Sequence, residues 1–178
     1  MQSLSPGTVV APLILRPAPE HAAGLVALIR RSPPLDANSD YCYLLLCSHF
    51  AATSAVAVDA IGAVIGGVTA YNPPGRPDTL FVWQLVVDVS ARGLGLAGKL
   101  VDELLSRPGA QHIRWLETTV NPSNAASDRV FTRLAAQRAV PVERSTLFPA
   151  SVFTGEHEAE IMLRVGPFSP STPVTNED

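Results

Sequence analysis

From Asp88 to Gly98 the chain runs Asp-Val-Ser-Ala-Arg-Gly-Leu-Gly-Leu-Ala-Gly, and no other stretch implies chemistry so directly. Glycines just ahead of a helix let the backbone pass close to a ligand. The unpaired N–H groups of a first helical turn, reinforced by the helix dipole, attract an anion. A phosphate is the expected guest of Arg92, Gly93, Gly95, Leu96, Ala97 and Gly98. The spacing Gly93-x-Gly95-x-x-Gly98 also satisfies the dinucleotide fingerprint, with the acidic Glu117 at nearly the expected distance downstream. That fingerprint belongs directly after the first strand of its fold. Here four strand-like segments precede it, and only about 80 residues follow, too few for most of a doubly wound sheet. Taken alone, the loop also suits an ordinary glycine turn.

Other reactive residue types are scattered. Glu117 interrupts an apolar strand end, where an acid is costly unless it is used. Asn124 and Ser127 open a helix and suit either a cap or a ligand contact. Asp36 and Asn38 stand before another helix as caps or as polar site groups, with Tyr41 just inside it. Trp83 is a cation-friendly aromatic or a core residue, and Gln84 and Thr118 add hydrogen-bonding groups. His157-Glu158-x-Glu160 is a solvated loop or part of a site. It is not a zinc signature, because no second histidine lies four residues on. Cys42 and Cys47, five apart in a helical segment, suit neither a disulfide nor a metal, and no metal site is expected.

The elements that must position these residues follow from periodicity. Leu13 to Arg16 is a strand, Pro19 to Arg31 a helix, and Tyr41 to Phe50 a leucine-rich helix. Ser54 to Asp59 and Val64 to Tyr71 form a hairpin, and Thr79 to Asp88 is an apolar strand of the kind buried on both faces. A helix over Leu94 to Leu105, a strand over Ile113 to Val120, a helix over Ser123 to Ala136 and a strand over Glu160 to Val165 follow. This is an α/β (α+β) pattern: a mixed sheet of six to seven strands flanked by about four helices.

The 178 residues, 47% hydrophobic and 16% charged, suit one domain over residues 12–168, with loose tails at 1–11 and 169–178. A net charge of −3 without a basic run argues against nucleic acid or an anionic membrane surface. The N-terminus has no basic flank followed by an apolar stretch, and no window nears the roughly 20 apolar residues of a membrane span. A cytoplasmic protein with a small-molecule partner is expected.

The pattern Arg92-x-x-Gly95-x-Ala97 after a long buried strand, with Asn124 opening a later helix, resembles the acyl-CoA site of GNAT acetyltransferases. That resemblance implies two central parallel strands that splay apart, so that the backbone at Leu85, Val86 and Val87 pairs with pantetheine. It also implies acetyl-CoA as cosubstrate. The tyrosine that often protonates the departing thiolate falls at Phe131, which cannot do so.

A narrower resemblance spans about Leu13 to Phe168. It rests on Leu35-Asp36-x-Asn38-Ser39-x-Tyr41-x-Tyr43-Leu44-Leu45-Leu46-Cys47-x-His49-Phe50, Leu80-Phe81-Val82-Trp83-Gln84, Leu116-Glu117-Thr118-Thr119 and Phe153-x-x-x-His157-Glu158-x-Glu160. These resemble the L-2,4-diaminobutyrate acetyltransferases of ectoine biosynthesis. The resemblance implies transfer of acetyl to the γ-amine, a homodimer, and a role in osmoadaptation. A diamino acid calls for anionic groups and an aromatic wall: Asp36, Asn38, Tyr41, Trp83, Gln84, Thr118 and Glu158. An alkyl ammonium has a pKa near 10.4, so only about one molecule in a thousand is free amine at pH 7, a deficit of roughly 4 kcal/mol. Glu117 is the expected proton acceptor, with His157 or Tyr41 next, and direct attack without an acyl-enzyme is expected. Arg76, Arg114 and Arg144 are open candidates for the substrate carboxylate. Another small amine, polyamine-like, or a silent acetyl-CoA sensor are the rival readings.

Overall fold

The computed structural model describes residues 11–169, so most of both expected tails lies outside the described residues. Seven strands form a single sheet: β1 (Leu13–Leu15), β2 (Ala55–Val58), β3 (Val64–Tyr71), β4 (Thr79–Val87), β5 (Trp115–Val120), β6 (Val142–Phe148) and β7 (Glu160–Val165). Their order is β1-β2-β3-β4-β5-β7-β6, antiparallel throughout except for the central β4–β5 pair. Helices α1 (Ala22–Arg30) and α2 (Asp40–Ser48) cover one face. Helices α3 (Leu96–Ser106) and α4 (Ala125–Gln137) cover the other, where Leu100, Leu104, Phe131 and Leu134 pack on Leu80, Val82 and Leu116.

Several element ends differ from the periodicity for local reasons. Residues 19–21 form a 3-10 turn, so α1 starts at Ala22. Ser39 caps α2 by accepting from the Cys42 N–H, which starts that helix at Asp40. Gly95 has φ 71°, a left-handed conformation outside the helix, so α3 starts at Leu96 and not Leu94. Strand β6 is absent from the sequence reading because it pairs only with β7, most of its residues are exposed, and Val-Glu-Arg-Ser-Thr-Leu-Phe carries no alternating apolar set.

Two adjacent glycines in β3 let both helical layers close on the sheet. A Cβ at Gly67 would lie 2.6 Å from the Leu25 side chain of α1, and one at Gly66 would lie 3.2 Å from Leu96 and Leu100 of α3. In β4 an extra residue, Trp83, sits between Val82, opposite Ala70, and Gln84, opposite Thr69. Such a bulge shifts the alternation by one. Before it, Leu80 and Val82 face α3 and α4; beyond it, Val86 faces α1 and α2.

Candidate active site

The parallel pairing of β4 and β5 runs from Thr79↔Trp115 to Val82↔Thr118 and then stops, at the Trp83 bulge. Past that point Trp83–Val87 pairs on its outer side with β3 alone, and Thr119 and Val120 pair with β7 alone. The backbone groups of Leu85, Val86 and Val87 that do not face β3 therefore face an open gap. An extended ligand can pair with them as an added strand.

Helix α3 begins at the mouth of this gap. Gly93 (φ 79°) and Gly95 (φ 71°) carry the chain through two left-handed conformations, and a Cβ at either would meet no atom within 4 Å. The backbone is thus bare on its outer side, and the N–H groups of Leu96, Ala97 and Gly98 open the helix with no intrahelical acceptor. Arg92 is exposed, its Nε donating to the Val87 carbonyl 3.3 Å away. The loop is tied down at its start. Asp88 accepts from the Ser90 N–H and Oγ at 3.0 and 2.7 Å and from Arg31, the residue that caps the end of α1, at 2.8 Å. The bonds from Ser90, and after them the Arg31 guanidinium, hold its carboxyl down at about 2. Asn124 caps α4 by accepting from the Ser127 N–H at 3.1 Å. Phe131 is core, 2% exposed, and puts no proton donor at its position.

On the face of α1 and α2, the gap borders a cavity of about 350 Å³ between the sheet and the 148–160 segment. Its walls include Tyr71, Phe81, Trp83 and Phe153, with Arg76, Thr119 and Glu160 as the polar groups. His157 stands beside it, stacked on Phe153 at 3.9 Å between ring centroids. Its Nδ1 is 2.6 Å from the Glu158 carbonyl oxygen, which can only accept, so Nδ1 carries a hydrogen. Nε2 then faces Asp36 at 4.0 Å and Glu160 at 3.9 Å. Two segments distant in sequence, the α1–α2 loop and the stretch leading into β7, meet at this imidazole.

Several expected site residues are placed elsewhere. Gln84 is buried with both ends of its amide engaged: Oε1 accepts from the Tyr43 hydroxyl at 3.1 Å, and Nε2 donates to the Asp36 carbonyl at 2.8 Å. The same Tyr43 oxygen accepts from the Asn38 N–H at 3.2 Å, so these two side chains pin the α1–α2 loop to β4. Thr118 is buried and alternates with Leu116 and Val120 toward α3 and α4, and Thr119 is the residue that lines the cavity. Glu158 reaches away to the Ser123 N–H and Oγ beside Asn124, leaving Glu160 as the cavity's glutamate. Tyr41 is 68% exposed and does not line the cavity.

Glu117 is 1% exposed, and its position is unlike that of a free base. Arg76 Nη1 spans its two oxygens at 2.8 and 2.7 Å, and Arg164 Nε lies 3.3 Å from Oε1. Both oxygens are thus taken up by arginine, and Glu117 is not among the residues that line the cavity. Burial pushes the Cys42 thiol up and that of Cys47 up to about 11, so neither supplies a thiolate at neutral pH. A larger cavity, about 510 Å³, lies at the C-terminal end of α3, where Arg107 donates through Nη1 to the Ala51, Ala52 and Ser54 carbonyls. Among the described residues no group of three or more His, Cys, Asp or Glu could hold a metal, and no helix is long and apolar enough to cross a membrane.

A parallel pair that splays at a bulge, with a bare helix N-terminus at its mouth and an aromatic-walled cavity behind, is the architecture of an acyl-CoA-dependent transferase. Residues 24–136 match the Acetyltransferase (GNAT) family, and the chain belongs to that family. It is 48% identical over 156 residues to the L-2,4-diaminobutyric acid acetyltransferase of Streptomyces coelicolor, covering 86% of this chain and 92% of the relative. The protein of the same name from Chromohalobacter salexigens is 43% identical over 157 residues, 88% of this chain and 82% of that one. Among solved structures, diaminobutyrate acetyltransferase EctA from Paenibacillus lautus, in complex with its substrate L-2,4-diaminobutyric acid and coenzyme A, superposes with a TM-score of 0.86 at 34% identity, over 91% of this chain and 98% of that chain.

Proposed function

We propose that this chain transfers the acetyl group of acetyl-CoA to the γ-amine of L-2,4-diaminobutyrate, the acetylation step of ectoine biosynthesis, by direct attack of the amine. The observation that carries this reading is the continuity of the β4–β5 gap with a cavity whose Glu160 suits an ammonium group and whose Trp83 suits a cation by its ring quadrupole. The names of the relatives support the same substrate.

The diphosphate of the donor binds at the N–H groups of Leu96, Ala97 and Gly98, and its pantetheine lies along Leu85–Val87. The thioester carbonyl then stands at the gap, where backbone N–H groups of β4 meet the oxyanion that develops on attack. His157 is the proton acceptor that the geometry favours over Glu117. Its Nε2 is unprotonated in the neutral ring, and Asp36 and Glu160 stabilise the imidazolium that forms. The C–N bond forms and the C–S bond breaks; of the two protons the ammonium loses, one reaches the thiolate by way of His157 and solvent and the other is released to solvent. A thiol of the cysteine type ionises near 8.5, so its thiolate leaves without a tyrosine acid at the Phe131 position.

The active species is read as a homodimer in the cytoplasm, serving osmoadaptation. Exposed Tyr41, Leu44, Phe50 and Val152 suit a partner subunit, and light scattering of the purified protein tests this. The decisive experiment for the reaction is incubation with acetyl-CoA and L-2,4-diaminobutyrate, with the product identified by mass spectrometry and NMR. A single N4-acetyl product with stoichiometric release of coenzyme A is expected. Acetylation at the α-amine, or no turnover, overturns the reading.

A further inference from the structure

Of the three arginines that could meet a substrate carboxylate, only Arg76 lines the amine cavity. Arg144 is bound to Asp128 and Thr132 of α4, and Arg114 lies outside the cavity wall, ahead of β5. Arg76 sits on the loop between β3 and β4 and is half-exposed. A single nitrogen, Nη1, is committed to Glu117, while Nε and Nη2 donate to no other group among the described residues. Behind it the chain of charges continues: Glu117 is flanked by Arg164, whose guanidinium lies 3.8 Å from the centre of the Trp115 ring. Glu117 therefore holds one nitrogen of the Arg76 guanidinium at the cavity wall and leaves Nε and Nη2 unengaged.

We infer that Arg76 is the specificity-determining residue of this enzyme: its free edge pairs with the α-carboxylate of the substrate, and Glu117 is the positioning residue that holds it there. The inference rests on the proposed substrate class and deepens it. Among the described residues Arg76 is the one cation in the cavity wall; Glu160 and the aromatic rings beside it suit any alkyl diamine. A cation whose charge is already half-compensated from behind adds a directed donor pair for a carboxylate without repelling the two ammonium groups as a lone arginine would. It separates diamino acids from plain diamines of the same length.

The test uses the full-length protein and two substrates that differ only by the carboxylate, L-2,4-diaminobutyrate and 1,3-diaminopropane. The wild type is expected to prefer diaminobutyrate in kcat/KM by about 30-fold or more, as a charge-assisted pair warrants. Arg76→Gln should lower kcat/KM for diaminobutyrate about 30-fold, mostly through KM, without a matching loss on 1,3-diaminopropane, so that the preference collapses. Arg76→Lys keeps the charge without the planar fork and should fall between them on diaminobutyrate only. A preference that survives in Arg76→Gln, a parallel loss on both substrates, or no ordering of Arg, Lys and Gln on diaminobutyrate overturns the assignment and leaves the proposed reaction standing. A wild type that acetylates 1,3-diaminopropane at least as well as diaminobutyrate overturns the substrate reading, and this inference with it.

Discussion

With its Nδ1 hydrogen given to the Glu158 carbonyl and its ring stacked on Phe153, His157 has one nitrogen, Nε2, left for chemistry, and that nitrogen faces two carboxylates. Glu117 has none of this freedom, because both its oxygens are bound by arginine. The two residues therefore answer differently to removal of their charge. His157→Gln should lower kcat about 100-fold at pH 7 with acetyl-CoA affinity intact, and raising the pH should restore part of the loss by supplying free amine. Glu117→Gln should chiefly lower the melting temperature and raise KM for diaminobutyrate, leaving the basic limb of the pH–rate profile in place. Steady-state kinetics from pH 6 to about 10 with both variants decide the matter. A 100-fold loss in kcat and pH rescue confined to Glu117→Gln would return the acceptor role to Glu117.

At the scale of elements, the amine site depends on how the α1–α2 loop is held against β4. Tyr43 is wholly buried, and its hydroxyl joins Asn38 to Gln84, which in turn holds Asp36. Tyr43→Phe keeps the ring and removes only that oxygen, leaving a loop N–H and the Gln84 oxygen unpaired, at a cost of about 1–3 kcal/mol. The expected result is a roughly tenfold higher KM for the amine, by ~1.4 kcal/mol of misplaced loop, with KM for acetyl-CoA unchanged. A lower melting temperature with both Michaelis constants unchanged would make the bond structural only. At the opposite mouth of the gap, Gly95→Val forces a β-branched residue into the left-handed region, at about 1–2 kcal/mol, and sets methyl groups where the diphosphate approaches. Calorimetry should show acetyl-CoA affinity reduced about tenfold or more with the amine's KM little changed. Unaltered acetyl-CoA affinity would remove this loop from the cosubstrate site.

Across the whole molecule, the Arg31–Asp88 pair joins α1 to the loop that carries the cosubstrate site, linking elements 57 residues apart. The Asp88 carboxyl is held at about 2, below its ordinary 3.8, so its contribution to stability is fully present above about pH 4 and is lost as the pH falls through about 2. Asp88→Asn should therefore melt below the wild type at neutral pH, with the difference shrinking between about pH 4 and pH 2. Thermal melts across that range check it, and a difference that does not depend on pH would show that the ion pair and cap are not its cause.

What the sequence alone determined about this protein is the part governed by local rules. Apolar periodicity placed most of the strands and helices, and the glycine spacing marked a helix start suited to phosphate, because alternation, capping and left-handed turns are properties of neighbouring residues. The motifs around Asp36, Trp83 and His157 marked stretches that meet at the proposed amine site. Tertiary structure alone decided which side chains in those stretches turn inward. The Trp83 bulge reverses the alternation along β4 and brings Gln84 to the α1–α2 face, where Tyr43 and the Asp36 carbonyl take up both ends of its amide. On β5, Thr119 and not Thr118 reaches the cavity, because a one-residue change of phase on a strand exchanges the two faces, and Glu160 opens β7 at the cavity while Glu158, in the loop before it, is drawn away to Ser123. β6 was invisible for the related reason that an exposed edge strand has no face to mark with apolar residues. The charges of Arg76 and Glu117 are plain in the sequence, 41 residues apart, but their pairing depends on a loop that folds back over β5, a long-range contact that no local pattern encodes.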